Sequence, residues 1–577
     1  MADASAASHY EHEVPRFDKT KYRKHLWGWF SYAFASEVFV IASVTLFLPI
    51  CLEQFARDNG FLLPNKTEPC SSVSGAPTTT ESGEEARCVV KLGWFWVDTA
   101  SFSLYVLSFS VALQALVVIS MGGIADHPAH RKKALLSFAA LGSTAAVLFL
   151  LLPSTSPLWP LVAVLAVCAN VGFGASMVTL NAYIPTLAHE AQEVLEARNE
   201  VARVASSSHA RTSYEHPDTD ADAEQPLLAH EEGTESSELK AAKVNHEKIL
   251  SATISRISSQ GIAMGYSAGI IVLILTLIPV TLMKGSTDAL RLAIGLSGLW
   301  WALFTLPAAA WLPGASATAA AIAIELDGTA PSSPEREWRM SREIVAAWKR
   351  LGRMLHYREV RKLRNTFVYL AAWFLLSDGF TTITNTAILF GKTVLHMPAS
   401  SLILIGAISP TAGIAGSLVV PMIQRRRGWS NLQTVTALVI IASLVPAYGC
   451  LGFLPFFQSS AVKFGGLTTP GEMFVLAVYF GSVYGAFQGY ARALYAEIIP
   501  PGEEARWYAL FSITDKSSSF LGPLVVGVIA DTTGNIRYAF FFLTAMIWLS
   551  IPVLTKVNME RGRADALRYM AAGSGSR

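Results

Sequence analysis

Twelve stretches of about 20 mainly apolar residues, the length a membrane helix needs, recur along the chain. They lie near 28–52, 101–123, 135–153, 158–180, 258–283, 291–313, 366–391, 401–423, 432–455, 472–491, 507–530 and 537–556. The pattern predicts an all-α polytopic membrane protein. Three segments interrupt it. Residues 53–100 form a large loop after the first stretch. Residues 189–257 are polar and acidic-to-mixed, and are expected to be a disordered loop because they carry too little apolar surface to fold alone. Residues 314–365 join two sets of six stretches, and their second part, EREWRMSREIVAAWKRLGRMLHYREVRKLR, has a basic amphipathic pattern. That pattern predicts one or two helices along the membrane surface.

The first and seventh stretches can be overlaid, WFSYAFASEVFVIASV (29–44) on LAAWFLLSDGFTTITN (370–385), which sets Ser36-Glu37 on Ser377-Asp378. A carboxylate within a bilayer costs about 2.5–3.5 kcal/mol on insertion scales, so it needs a partner, water or a proton. Two acids at matched places suggest a duplicated fold with a polar site between its halves. Other features recur half a chain apart: LNAYIPTLAHE (180–190) with RALYAEIIPPGEE (492–504), and GGIADHPAHRKK (122–133) with PMIQRRRGWS (421–430). The expected organisation is a tail 1–27, a six-helix bundle 28–313, a linker 314–365, a second six-helix bundle 366–556 and a tail 557–577.

Charge supplies an orientation. The chain has 577 residues, 52% hydrophobic and 15% charged, against about 25% charged in soluble domains. With the N-terminus in the cytosol, cytosolic segments carry 35 of the 45 Lys and Arg residues and the other face 9, with Lys516 inside the eleventh stretch. This bias places both termini in the cytosol. The polar first 27 residues lead straight into a full-length span, so no cleavable signal peptide is expected. No nucleic-acid motif, metal cluster, hydrolase elbow or phosphate-binding loop stands out, so neither an enzyme nor a cofactor is expected.

The loop 53–100 then faces away from the cytosol. It holds the chain's one Asn-x-Ser/Thr sequon, Asn65-Lys66-Thr67, a glycosylation acceptor if it meets the machinery. Cys70 and Cys88 share that loop and can form a disulfide in an oxidising lumen or stay as two thiols.

Residues 122–133 resemble the G-x-x-x-D-R-x-G-R-R signature of the major facilitator superfamily. Gly122, Asp126, Arg131 and Lys132 match, while His127, Ala129 and His130 depart from it. The resemblance implies a twelve-helix bundle of two six-helix halves, with Asp126 and Arg131 as a conformational latch. The segment PICLEQFARDNG (49–60) is similar to the end of the first helix in the fungal autophagy-related protein 22 family. LLSDGFTTITNTAILFGK (375–392), TDKSSSFLGPLVVGVIAD (514–531) and the long acidic loop extend that similarity over most of the chain. It implies a vacuolar membrane protein that exports leucine and other neutral amino acids to the cytosol after autophagic breakdown. A carrier of sugars, peptides or nucleosides, and a non-transporting sensor or scaffold, are the rival readings.

A zwitterionic cargo needs an acid for its ammonium and donors for its carboxylate. Glu37 and Asp378 can supply the acid, or hold a proton if export is proton-coupled. Asp378 is favoured, because Thr382 and Asn385 share its helical face and Lys516 is a candidate either for its counter-charge or for the cargo carboxylate. Asp515 and Lys516 are adjacent, about 100° apart on a helix, and are not expected to pair.

Overall fold

The computed structural model describes residues 17–64, 66–70, 87–214, 237–314, 340–458, 464–500 and 503–574. Asn65, and with it the glycosylation reading, lies outside them.

The first span is one continuous rod in three parts: α1 (Lys19–Val38), a π-helical run (Phe39–Phe47) and α2 (Leu48–Asp58). The Thr45 hydroxyl donates to the carbonyl of Val40, five residues back. A π-helical segment of this kind is a frequent mark of functional sites. A three-stranded antiparallel sheet follows, in the order β1 (Phe61–Leu62), β2 (Cys88–Leu92), β3 (Phe95–Asp98), with Val89 opposite Asp98 and Leu92 opposite Phe95. Cys70 and Cys88 are joined by a disulfide with their Cα atoms 6.0 Å apart.

The first half continues with α3 (Thr99–Asp126), α4 (Pro128–Leu148), α5 (Leu161–Asn181), the short α6 (Tyr183–His189), α7 (Gln192–Tyr214), α8 (Ser237–Leu282) and α9 (Thr287–Trp311). The linker holds α10 (Met340–Met354) and α11 (Tyr357–Lys362). The second half is α12 (Arg364–Thr393), α13 (Ala399–Arg427), α14 (Asn431–Leu451), α15 (Pro470–Ala496), a broken span α16 (Glu504–Ser518) and α17 (Leu521–Thr533), and α18 (Ala539–Thr555), before the terminal α19 (Met559–Ser574). Every apolar stretch thus has a helical counterpart, and the fold is the two-half, twelve-helix bundle that the hydrophobic pattern predicts.

Among the described residues ten helices are long and apolar enough to cross a membrane by length and composition. The other two spans are α15, diluted by Gly, Tyr and Gln, and the eleventh, whose two pieces have 15 and 13 residues.

Aromatic packing anchors each half. Trp301 stacks on Phe39 at 5.3 Å and donates through Nε1 to the hydroxyl of Tyr32 at 3.3 Å. In the second half Trp373 stacks on Phe511 at 4.5 Å. Small residues bring α13 and α15 into backbone contact: a Cβ on Gly416 would stand 1.9 Å from the Ser482 carbonyl oxygen. Such close approach is how membrane helices gain packing energy without a hydrophobic driving force.

Two sequence expectations need correction. The segment 189–257, expected to be disordered, contains α7 and nearly the first half of α8, while 215–236 lie outside the described residues. Glu193 of α7 accepts from the Thr253 hydroxyl at 2.7 Å and pairs with Arg256 of α8. Ile257 is buried, and Leu250 and Ile254 pack against the cluster around Trp29 and Tyr183. Average polarity hid this, because a few apolar residues at helical spacing suffice when another surface receives them. The linker helix α10 is amphipathic as expected, yet part of its apolar face meets protein. Ile344 packs near Met121 and Ile124, and Trp348 Nε1 donates to Ser120 Oγ of α3 at 3.1 Å.

Candidate functional site

A cavity of about 2550 Å³ lies between the halves. It opens at the end that carries α6, α7 and the linker helix: Arg131, Glu190, Arg198, Arg350 and Met354 border its mouth. The sheet lies at the opposite end of the bundle.

Midway along the cavity the first span presents Glu37 on the turn before the π-helical run, with Val40, Ile41, Val44 and Thr45 beyond it. Gly265 of α8 makes room for this acid, since a Cβ there would stand 2.4 Å from Glu37 Cγ. Facing it from the second half are Arg492 of α15 and Lys516 of α16, both within electrostatic reach of the Glu37 carboxylate. Tyr266 of α8 lies within reach of Glu37 and Arg492. Asp515 accepts from Ser377 Oγ at 2.5 Å through Oδ1, and its Oδ2 lies 3.4 Å from Lys516 Nζ. The expectation that Asp515 and Lys516 would not pair is therefore corrected. A long lysine stem folds back over the 100° that separates neighbouring helix positions. The Lys516 side chain remains 42% exposed to the cavity, so its charge is available to a ligand.

Asp378 stands elsewhere. It is 1% exposed and does not border the cavity. Its Oδ1 accepts from the backbone N–H of Gly522 at 3.0 Å and from the Thr382 hydroxyl at 3.2 Å. Gly522 lies in the first turn of α17, just past the break after Ser518. The first backbone N–H groups of a helix lack intrahelical partners, and a carboxylate there satisfies one and complements the helix dipole. Asp378 thus caps a broken helix from a neighbouring span. The favoured assignment of Asp378 over Glu37 as the cargo-facing acid, and of Lys516 as the counter-charge of Asp378, is corrected: Glu37 borders the cavity and Lys516 pairs with Asp515. Asn385 does border the cavity, with Thr381 and Thr384.

Three residues of α15 were not anticipated. Tyr484, Gln488 and Arg492 line the cavity. They are spaced i, i+4, i+8 and so form one helical stripe. That spacing is visible in YGAFQGYAR (484–492), but Arg492 read as one more cytosolic charge. Gln114 and Asn170 also border the cavity and are tied to each other's helices: Gln114 Nε2 donates to the Asn170 carbonyl at 2.9 Å, and Asn170 Nδ2 to Ser110 Oγ at 2.9 Å.

At the mouth Arg131 donates through Nε to the Ala125 carbonyl at 2.8 Å and through Nη1 to Thr186 Oγ1 at 3.1 Å, with its guanidinium 5.1 Å from the Tyr183 ring centroid. It stitches the ends of α3, α4 and α6 within the first half. Asp126 ends α3, and its side chain lies outside the described residues.

Comparison with known proteins places this arrangement. The family described as "Vacuole effluxer Atg22 like" matches residues 21–567. Autophagy-related protein 22 of Cryptococcus neoformans var. neoformans serotype D is 40% identical over 579 residues, covering 94% of this chain and 96% of its own. Autophagy-related protein 22-1 of Neosartorya fischeri is 39% identical over 580 residues, covering 95% and 92%. The crystal structure of a bacterial homologue of the iron transporter ferroportin, in its inward-facing state, superposes with a TM-score of 0.50 at 13% identity, over 93% of this chain and 98% of that one. The last likeness concerns the fold alone. By family match over nearly its whole length, the chain belongs to the Atg22-like vacuole effluxers and is a multi-pass membrane transporter, not an enzyme.

Proposed function

We propose that this protein exports neutral amino acids, leucine among them, from the vacuole lumen to the cytosol, with both termini cytosolic and the cavity open to that side. The observation that carries this reading is the charge pattern across the cavity. Around Glu37, away from the basic mouth, Glu37 and Asp515 are set against Lys516 and Arg492, two acids and two bases. A zwitterion satisfies such a site at both ends: its ammonium against Glu37, its carboxylate against Lys516 or Arg492 through charge-assisted hydrogen bonds. A neutral sugar would leave these charges uncompensated, at a cost for each desolvated group.

The cavity is far larger than one amino acid. Closure around the cargo therefore has to bring the halves together at the mouth, as alternating access requires. We keep Arg131 and Asp126 as the latch of the first half in that movement; the bonds of Arg131 to the Ala125 carbonyl and to Thr186 support the reading. Glu37 is also the residue proposed to carry a proton if export is coupled to one.

Efflux of radiolabelled leucine from proteoliposomes, with and without a pH gradient, tests the reading. Leucine efflux that saturates and is competed by other neutral amino acids is the expected result. Competition by sugars or nucleosides instead would replace the cargo, and no flux of any solute would remove the transport reading of this site. Coupling is decided by Glu37→Gln: pH dependence that survives this substitution excludes Glu37 as the proton carrier.

A further inference from the structure

At the sheet end Arg87 ties the first half to the second. Arg87 directly precedes Cys88, whose disulfide to Cys70 ties the start of β2 to the segment after β1. Its side chain reaches out of the first half. Nε donates to Asp98 Oδ2 at 3.1 Å, and Nη2 donates to the carbonyl of Ala530 at 3.2 Å and to that of Asp531. Nη2 also lies 3.7 Å from Asp531 Oδ1, which accepts from the backbone N–H of Asp98 at 2.9 Å.

Ala530 and Asp531 belong to the last turn of α17, which ends at Gly534 in the left-handed region (φ 73°). The Ala530 carbonyl also takes the Gly534 N–H at 2.9 Å, and the last carbonyls of a helix carry the negative end of its dipole, so a guanidinium there is a matched cap. The Arg87 stem packs over Gly534, 3.4 Å from the position a Cβ would take. Deeper in the same seam, Ser101 Oγ donates to the Gly527 carbonyl at 2.9 Å and Ser108 Oγ to the Phe520 carbonyl at 2.7 Å.

We propose that Arg87 is the latch of the gate at the sheet end, holding α17 of the second half to the first half while the cavity is open at the other end. Admitting cargo from the sheet end requires α17 to leave α3, which breaks every Arg87–α17 contact in one movement. One side chain serving three groups on the partner half makes the closed gate cooperative. The Cys70–Cys88 bridge fixes the strand start from which Arg87 reaches, so it positions the latch. None of this depends on which solute is carried.

The test is a distance measurement in the full-length protein. Spin labels are placed at Leu158→Cys and Leu454→Cys, both exposed in connections at the sheet end, one in each half. The free cysteines Cys51, Cys168 and Cys450 are replaced by serine. Arg87→Ala and Asp531→Asn should each raise the long-distance population by about tenfold, the effect of losing a charge-assisted hydrogen bond. Arg87→Lys, which keeps the charge and loses the fork, should fall between. The Arg87→Ala, Asp531→Asn double variant should open no further than Arg87→Ala. Cys70→Ser with Cys88→Ser should shift the distribution the same way by less. Unchanged distributions in monodisperse Arg87→Ala and Asp531→Asn overturn the latch. Fully additive effects in the double variant overturn the pairing. If Arg87→Ala does not assemble, Asp531→Asn and Arg87→Lys decide the question alone, and no shift in either overturns the proposal.

Discussion

The carboxylate of Asp378 accepts a hydrogen bond from the backbone N–H of Gly522 at 3.0 Å. An acid of the seventh span thereby caps a break in the eleventh, while Glu37, its counterpart in the repeat, borders the transport cavity. Two sequence-equivalent acids thus meet different surroundings, one a helix break and the other the cavity.

The cap is expected to matter for stability more than for cargo affinity. Asp378→Ala should destabilise the protein by about 1–3 kcal/mol through the amide left unpaired, while Asp378→Asn keeps an acceptor and should lose less. Gly522→Ala should be harmful too, because its Cβ would stand 1.9 Å from Thr382 Oγ1. Thermal inactivation midpoints, with KM measured on the surviving protein, separate the two effects. A raised KM with unchanged stability would return Asp378 to the cargo site.

Glu37→Gln should behave in the opposite way. Its side chain is half-buried and faces the cavity, so assembly should persist while flux falls about tenfold or more, as for a lost charged hydrogen bond. Initial-rate efflux normalised to folded protein is the measurement.

Arg492→Gln should discriminate between ligand groups. Competition by amino acids should weaken, and competition by the corresponding amines, which lack the carboxylate, should stay as it was. Equal weakening of both classes would assign Arg492 to the architecture of α15 instead.

Close helix contact makes Gly416 intolerant of size. Gly416→Val forces α13 away from the Ser482 carbonyl, at a cost of about 1–3 kcal/mol. Gly428→Ala, with open space around it but a φ of 67°, should act through backbone strain alone, and comparing the two melting curves separates packing from strain.

The α7–α8 pairing should depend on pH. The Thr253 hydroxyl, and after it the Arg256 guanidinium, hold the Glu193 carboxyl below its ordinary value. A lowered carboxyl stabilises the paired form above the ordinary carboxylate pKa, and that stabilisation is lost as pH falls through the lowered value. Amide exchange in residues 192–207 should accelerate on acidification, and Glu193→Gln should remove that dependence.

Much of this was legible in the residues. The twelve spans follow from apolar run length, because a helix that satisfies its own backbone is the one economical way to cross a bilayer alone. Ser36-Glu37 on Ser377-Asp378 exposed the duplication. The eleventh span read as one helix, since nothing local in TDKSSSFLGPL announces that an acid from another span will cap a restart at Leu521. Residues 189–257 read as disordered, since the surface that receives Ile254 and Ile257 comes from elsewhere in the chain.

By itself, the sequence determined the number of spans, the division into halves, the uneven distribution of basic residues and a short roster of charged groups in apolar surroundings. Those properties depend on local composition and period. Only the tertiary structure decided which of these charges meet. Glu37 faces Arg492 and Lys516 across the cavity, Asp515 takes Lys516, Asp378 turns inward to Gly522, and Arg87 crosses from one half to the other. The reason is physical: helix period specifies which residues share a face, and the packing of one helix on another specifies what that face sees.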